Sequence, residues 1–155
     1  IENNYSKTKY YKKYIDFFRE LYDKNWTYLA EINEYFLKYV LNELEIKTEI
    51  ISDKDFNFKE KKNNFIIEMC KYFNADKYLS NKGSEEYIDL DLFKENKIDH
   101  YFVNYKDIDY RKQNNPSIIN LSVIDMLFYC GSKQASKIIK DTKNLEISKN
   151  YQFLK

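Results

Sequence analysis

Apolar residues return every three or four positions through the N-terminal third of the chain. Tyr11, Tyr14, Phe18 and Leu21 share one helical face and predict an amphipathic helix over 8–23. Leu29, Ile32, Phe36, Val40 and Leu44 repeat the pattern and predict a second helix over 26–44, with Asn25 as its N-cap. The period then changes. Residues 48–52, Thr-Glu-Ile-Ile-Ser, are short and β-branched, and predict a strand. A polar loop over 53–63 leads to a third helix, 63–73, with Ile66, Met69, Cys70 and Phe73 turned inward and Asn74 as a left-handed stop.

The second half alternates. Residues 77–80 and 100–106 read as strands, with a helical piece, Leu-Asp-Leu-Phe-Lys-Glu-Asn, between them. A long loop over 107–120 holds the sole proline, Pro116. Residues 122–130 form a very apolar helix whose opening, Ser122-Val123-Ile124-Asp125, fits a capping box. Gly131 ends it and Ser132 starts another helix through Ile139. The tail, 142–155, has no clear period and reads as partly disordered or as a packing arm. Strands separated by helices predict right-handed crossovers. The expected fold class is therefore α/β: a short parallel sheet of about three strands, from 47–51, 77–80 and 100–106, flanked by helices, with 122–130 buried against it. One domain over 1–141 is expected.

Composition narrows the function. The 26 basic and 25 acidic side chains nearly cancel, so no basic excess points to non-specific nucleic-acid binding. No apolar run reaches the length of a membrane span. The chain opens without the apolar segment of a signal peptide, so a cytoplasmic setting is expected. Cys70 and Cys130 sit in apolar helical contexts and read as reduced core thiols. With one histidine and two scattered cysteines, no metal site of zinc-ligand spacing can be built.

Two blocks carry a resemblance. The first comprises Ala75, Asp76, Tyr78, Leu79 and Ser80, then Tyr87 and Asp89, then Leu92 and Phe93. The second comprises Ser122, Val123, Ile124, Asp125, Met126, Leu127, Phe128 and Gly131. In this order and spacing they resemble the WbqC-like family over roughly residues 5–140. Asn81 stands where the family usually has glycine, and Tyr129 where it usually has asparagine. The family's opening Gln-Pro-x-x-x-Pro-x-x-Gly-Tyr segment does not precede Ile1, so the chain reads as the C-terminal part of the family domain. The resemblance implies a role in bacterial surface-polysaccharide (O-antigen) synthesis, with transfer of a glycyl or other small acyl group to a sugar or nucleotide-sugar substrate. It names no cofactor and no catalytic residue.

The residues supply candidates for substrate binding. Ser80, Lys82, Gly83 and Ser84 follow a strand, where backbone N–H groups gather around an anion and ligands of α/β sheets bind. The plainer reading is a tight turn with a capping serine. Tyr87 and Asp89 suit a sugar hydroxyl or the orientation of a base, or else are a surface tyrosine and a helix cap. Asp125 is a cleft carboxylate or the capping-box partner of Ser122. Asn120 is a polar contact or a loop residue. His100 is the sole imidazole and reads as structural, since nothing in its spacing supports a Ser-His-Asp triad. Besides the transferase, two other readings stand. One is a non-catalytic module partnering a glycan-biosynthesis enzyme; the other is a nucleotide-binding, adenylating-type domain.

Overall fold

The computed structural model describes residues 1–106, 108, 110, 111, 121–141, 143 and 145–149. Asn120 and the Pro116 segment lie outside the described residues. In chain order the elements are α1 (Glu2–Tyr5), α2 (Tyr11–Asp23), α3 (Leu29–Glu43), α4 (Lys62–Tyr72), β1 (Lys77–Asn81), α5 (Leu90–Glu95), β2 (Asp99–Tyr105), α6 (Val123–Ile139) and β3 (Leu145–Lys149). Two short 3-10 turns, Asp53–Asp55 and Lys82–Ser84, join them. The chain forms two compact units, Ile1–Glu49 with Asp107–Thr142, and Ile50–Lys106 with Lys143–Lys155.

The first unit is helical. Its core joins Tyr14, Phe18 and Leu21 of α2, Val40 of α3 and Leu44 to Leu127, Phe128 and Ala135 of α6. The expected seat of 122–130 against the sheet is corrected here: those residues pack on helices α2 and α3. Phe128 explains why, because its ring stacks on Tyr5 at 4.8 Å and meets the edge of Tyr14 at 5.9 Å. Leu127 and Phe128 are fully buried, as expected, whereas Ile124 is half-buried. The α3 helix begins later than Asn25, at Leu29. The Glu31 carboxylate accepts the N–H groups of Thr27 and Tyr28 and so fixes the start there. Leu29 itself is exposed.

Gly131 breaks α6 as expected. Its φ of 73° and ψ of 162° belong to a region open only to glycine. A Cβ there would meet the Tyr10 ring at 2.7 Å. The Ser132 amide, at the restart, donates to the Tyr14 hydroxyl at 2.7 Å.

The second unit carries a three-stranded mixed sheet in the order β1-β2-β3. The β1–β2 pair is parallel, joined through α5, and β3 is antiparallel to β2. An α/β, helix-rich architecture is thus present, but the third strand is not the expected 48–52. That segment has no strand partner, and Ile50 and Ile51 stand exposed. The third strand comes from the tail instead, where Leu145 and Ile147 face Tyr105 and Val103 of β2. One sheet face is covered by α4 and α5 through Ile67, Cys70, Phe93 and Ile98. Phe73, expected inward, is exposed, and Ile67 takes the buried position in α4.

Three helices end on left-handed residues that are not glycine. Glu45, Asn74 and Lys97 have φ of 54°, 52° and 58°. At each, the following amide reaches back to the helix: Ile46 to the Leu41 carbonyl, Ala75 to Cys70 and Ile98 to Phe93. With the amides of Glu45, Asn74 and Lys97 themselves donating to Asn42, Lys71 and Lys94, these pairs of hydrogen bonds satisfy carbonyls that would otherwise lack partners. Asn74 fulfils the stop read from the sequence.

Candidate functional site

The β1–β2 register decides what faces what. Tyr78 pairs with His100 and Ser80 with Phe102, so Ser80 and His100 are diagonal neighbours on the helix-covered face. The Ser80 Oγ lies 3.1 Å from His100 Nε2. The Ser84 Oγ lies 2.6 Å from Ser80 Oγ and 2.8 Å from the Asn81 carbonyl, which places it to support the Ser80 oxygen. His100 is only 2% exposed and Ser84 3%, while Ser80 is half-buried.

The imidazole is held by rings. Phe102 lies 4.4 Å from it, Phe93 5.0 Å and Tyr78 5.5 Å, centroid to centroid. Burial pushes the His100 pKa below its usual value, so the ring is neutral near pH 7. Its Nδ1 is buried and finds no hydrogen-bond partner among the described residues. A neutral imidazole with Nε2 on a serine hydroxyl can accept that hydroxyl's proton. Among the described residues no carboxylate meets Nδ1, so no Ser-His-Asp arrangement is completed there. His100 also lines a cleft of about 350 Å³ with Asp76, Lys94 and Asp99.

Lys82 and Gly83 lie in the 3-10 turn after β1 and are exposed. Lys82 borders a narrow groove with Glu85, Asn104 and Glu146. Gly83 has no left-handed φ, and a Cβ added to it would meet only the Asn81 side-chain oxygen, at 3.3 Å. The turn therefore does not demand glycine for conformational reasons. Tyr87 is exposed. Asp89 caps α5, its Oδ1 accepting from the Leu92 amide at 3.1 Å. Asn63 clamps this segment, donating to the Tyr87 carbonyl and accepting from the Asp89 amide.

Asp125 belongs to the helical unit. Its expected capping-box role is corrected: Ser122 alone caps α6, through the Ile124 amide. The Asp125 carboxylate is fully buried and accepts from the Tyr110 hydroxyl at 2.6 Å and from the Arg111 guanidinium. The Arg111 guanidinium also stacks on the Tyr129 ring at 4.2 Å. Burial and the Asp125 carboxylate push the Tyr5 hydroxyl up, and push that of Tyr110 well above the usual tyrosine range. The hydrogen bond to Asp125 likewise raises the Arg111 pKa, so this is a fixed ion pair within the fold.

The Ser80–His100 contact was not legible along the chain, where His100 reads as structural. Ser80 and His100 are 20 residues apart, and only the strand register brings them together. The alternating burial of β2 is the signal that places His100 inward.

Against known proteins, the WbqC-like protein family model matches residues 1–137, and the chain belongs to that family. The chain is 24% identical over 135 residues to Uncharacterized protein Rv1507c of Mycobacterium tuberculosis. That match covers 86% of this chain and 58% of the relative, so the chain spans under two thirds of the relative's length. No solved structure matches it. Among the described residues no helix is long and apolar enough to cross a membrane, and no cluster of metal-binding side chains occurs.

Proposed function

We propose that the protein is a cytoplasmic acyltransferase that moves a glycyl or other small acyl group onto a sugar during bacterial surface-polysaccharide synthesis. The family resemblance supplies the setting. The observation that carries the chemistry is the 3.1 Å contact between Ser80 Oγ and a neutral, buried His100.

In this reading Ser80 Oγ attacks the carbonyl carbon of the acyl donor. Its proton passes to His100 Nε2 as the Oγ–C bond forms, and returns to the leaving group as the donor's acyl bond breaks. A sugar hydroxyl then attacks the Ser80 ester. It gives its proton to Nε2, and Ser80 Oγ takes that proton back as the ester C–O bond breaks. Ser84 steadies the Ser80 oxygen. Lys82 and Gly83, in the exposed turn after β1, would meet the substrate's anionic group, and the exposed Tyr87 and Asp89 would meet its hydroxyls.

A simple aryl ester, p-nitrophenyl acetate, tests the first half. A burst of nitrophenol from the wild type, lost in Ser80→Ala and in His100→Gln, supports the reading. Equal rates in all three proteins contradict it.

One observation favours a second reading. The ring packing around His100, with 2% exposure, suits an imidazole that only satisfies Ser80 inside the core. The chain would then be a non-catalytic module partnering a glycan enzyme, and no burst would be seen.

A further inference from the structure

The helical unit holds a cleft of about 490 Å³ at the break in α6. Lys13 of α2 and Lys133 and Lys137 of α6 line it, with Tyr10, Ser132 and Gly131. Among the described residues none of those lining it is acidic, and Glu43 reaches it only through Lys13. In a chain whose 26 basic side chains face 25 acidic ones, three lysines against the one Glu43 carboxylate that pairs with Lys13 are a local excess of positive charge.

The lysines are set by the fold. Lys133 and Lys137 are four apart, so the second half of α6 presents both on one face. Lys13 is held by two contacts. Its Nζ donates to Ser132 Oγ at 2.9 Å and to Glu43 Oε2 at 2.8 Å, and it lies 4.8 Å from the Tyr14 ring centre. That hydrogen bond to Glu43 raises the Lys13 pKa, so its charge persists at neutral pH. The Ser132 amide is already given to Tyr14, so a ligand would rest on side chains and not on the helix start. Gly131 lets the Tyr10 ring pack against the backbone at the helix break, where a Cβ would meet that ring at 2.7 Å.

We propose that this cleft binds the phosphate or diphosphate group of a small ligand, with Lys13, Lys133 and Lys137 as its cations and the Ser132 hydroxyl as a neutral contact. The volume exceeds that of one phosphate and leaves room for an attached sugar or nucleoside. The same chemistry comes from a soluble phosphate ester or from a lipid diphosphate. Binding here does not require Ser80 or His100, so its failure would leave the acyltransferase reading standing.

The test titrates inorganic pyrophosphate into the full chain at low salt, by calorimetry and by amide NMR shifts. Wild type should bind with shifts centred on 130–137. Lys133→Gln with Lys137→Gln should weaken binding by about tenfold for each lysine lost, the value of one charged hydrogen bond. Lys71→Gln, elsewhere on the surface, should bind as the wild type does. Raising the salt should weaken binding further. A second arm uses vesicles with and without phosphatidic acid. Co-sedimentation only with the acidic lipid, lost in the same double variant, would make a lipid headgroup the source of the phosphate. Absence of binding in both arms by folded wild type, or equal binding by the double variant, would overturn the assignment.

Discussion

Ser80 and His100 meet across the parallel β1–β2 pair, 3.1 Å apart, with the imidazole sealed among Tyr78, Phe93 and Phe102. The seal has a consequence for pH. Burial lowers the folded pKa of His100 below the unfolded value of about 6.5. Above pH 6.5 both states are neutral and the stabilisation is fully present. As the pH falls below 6.5 the unfolded chain takes up the proton first, and stability falls until the folded pKa is passed. Since this is the sole histidine, urea unfolding at pH 7.5 and 5.5 should show a loss that His100→Phe largely removes. An unchanged loss in the variant would assign it to carboxylates.

The same shift moves the activity profile. A base with a lowered pKa stays neutral to lower pH, so the acid limb of kcat/KM should lie below pH 6.5. A limb at or above 6.5 would mean that His100 is not the base.

The two glycines should respond very differently. Gly131→Ala imposes a glycine-only backbone on alanine and drives its Cβ to within 2.7 Å of the Tyr10 ring, and should cost about 1–3 kcal/mol or more. Gly83→Ala meets only a side-chain amide and should change stability by less than about 0.5 kcal/mol, as most surface substitutions do. Thermal unfolding of both variants decides this.

Asp125→Ala leaves Arg111 and Tyr110 facing an empty buried space. The cost should be about 3 kcal/mol, at the low end for a broken buried pair because Arg111 is a quarter exposed. A loss under about 1 kcal/mol would show that the pair is not structural.

The left-handed helix ends offer gains. Glu45→Gly and Lys97→Gly should each stabilise by about 0.5–1 kcal/mol, since the left-handed penalty of roughly 1–2 kcal/mol is partly offset by glycine's larger unfolded entropy. Denaturant midpoints should rise in both.

Local patterns in the sequence are legible where local physics decides them. The period of Tyr14, Phe18 and Leu21, the stop at Asn74 and the break at Gly131 all depend on neighbours within a few residues. The third strand was not legible in this way. Ile50 and Ile51 have the right residue types but gain no ladder partner, while Leu145 and Ile147 gain one only because β2 presents an edge. Ser80 and Ser84 were legible as a post-strand turn. His100 and the Arg111–Asp125 pair were not, because each contact depends on tertiary pairing that no spacing along the chain encodes.

The most direct measurement is covalent trapping of the nucleophile. The protein is treated with a fluorophosphonate, and the adduct is located by peptide mass mapping. One adduct is expected, on Ser80, strongly reduced in His100→Gln under conditions where that variant is shown to fold. A folded wild type that carries no adduct, or carries it on another residue, would contradict the proposal that Ser80 and His100 transfer an acyl group.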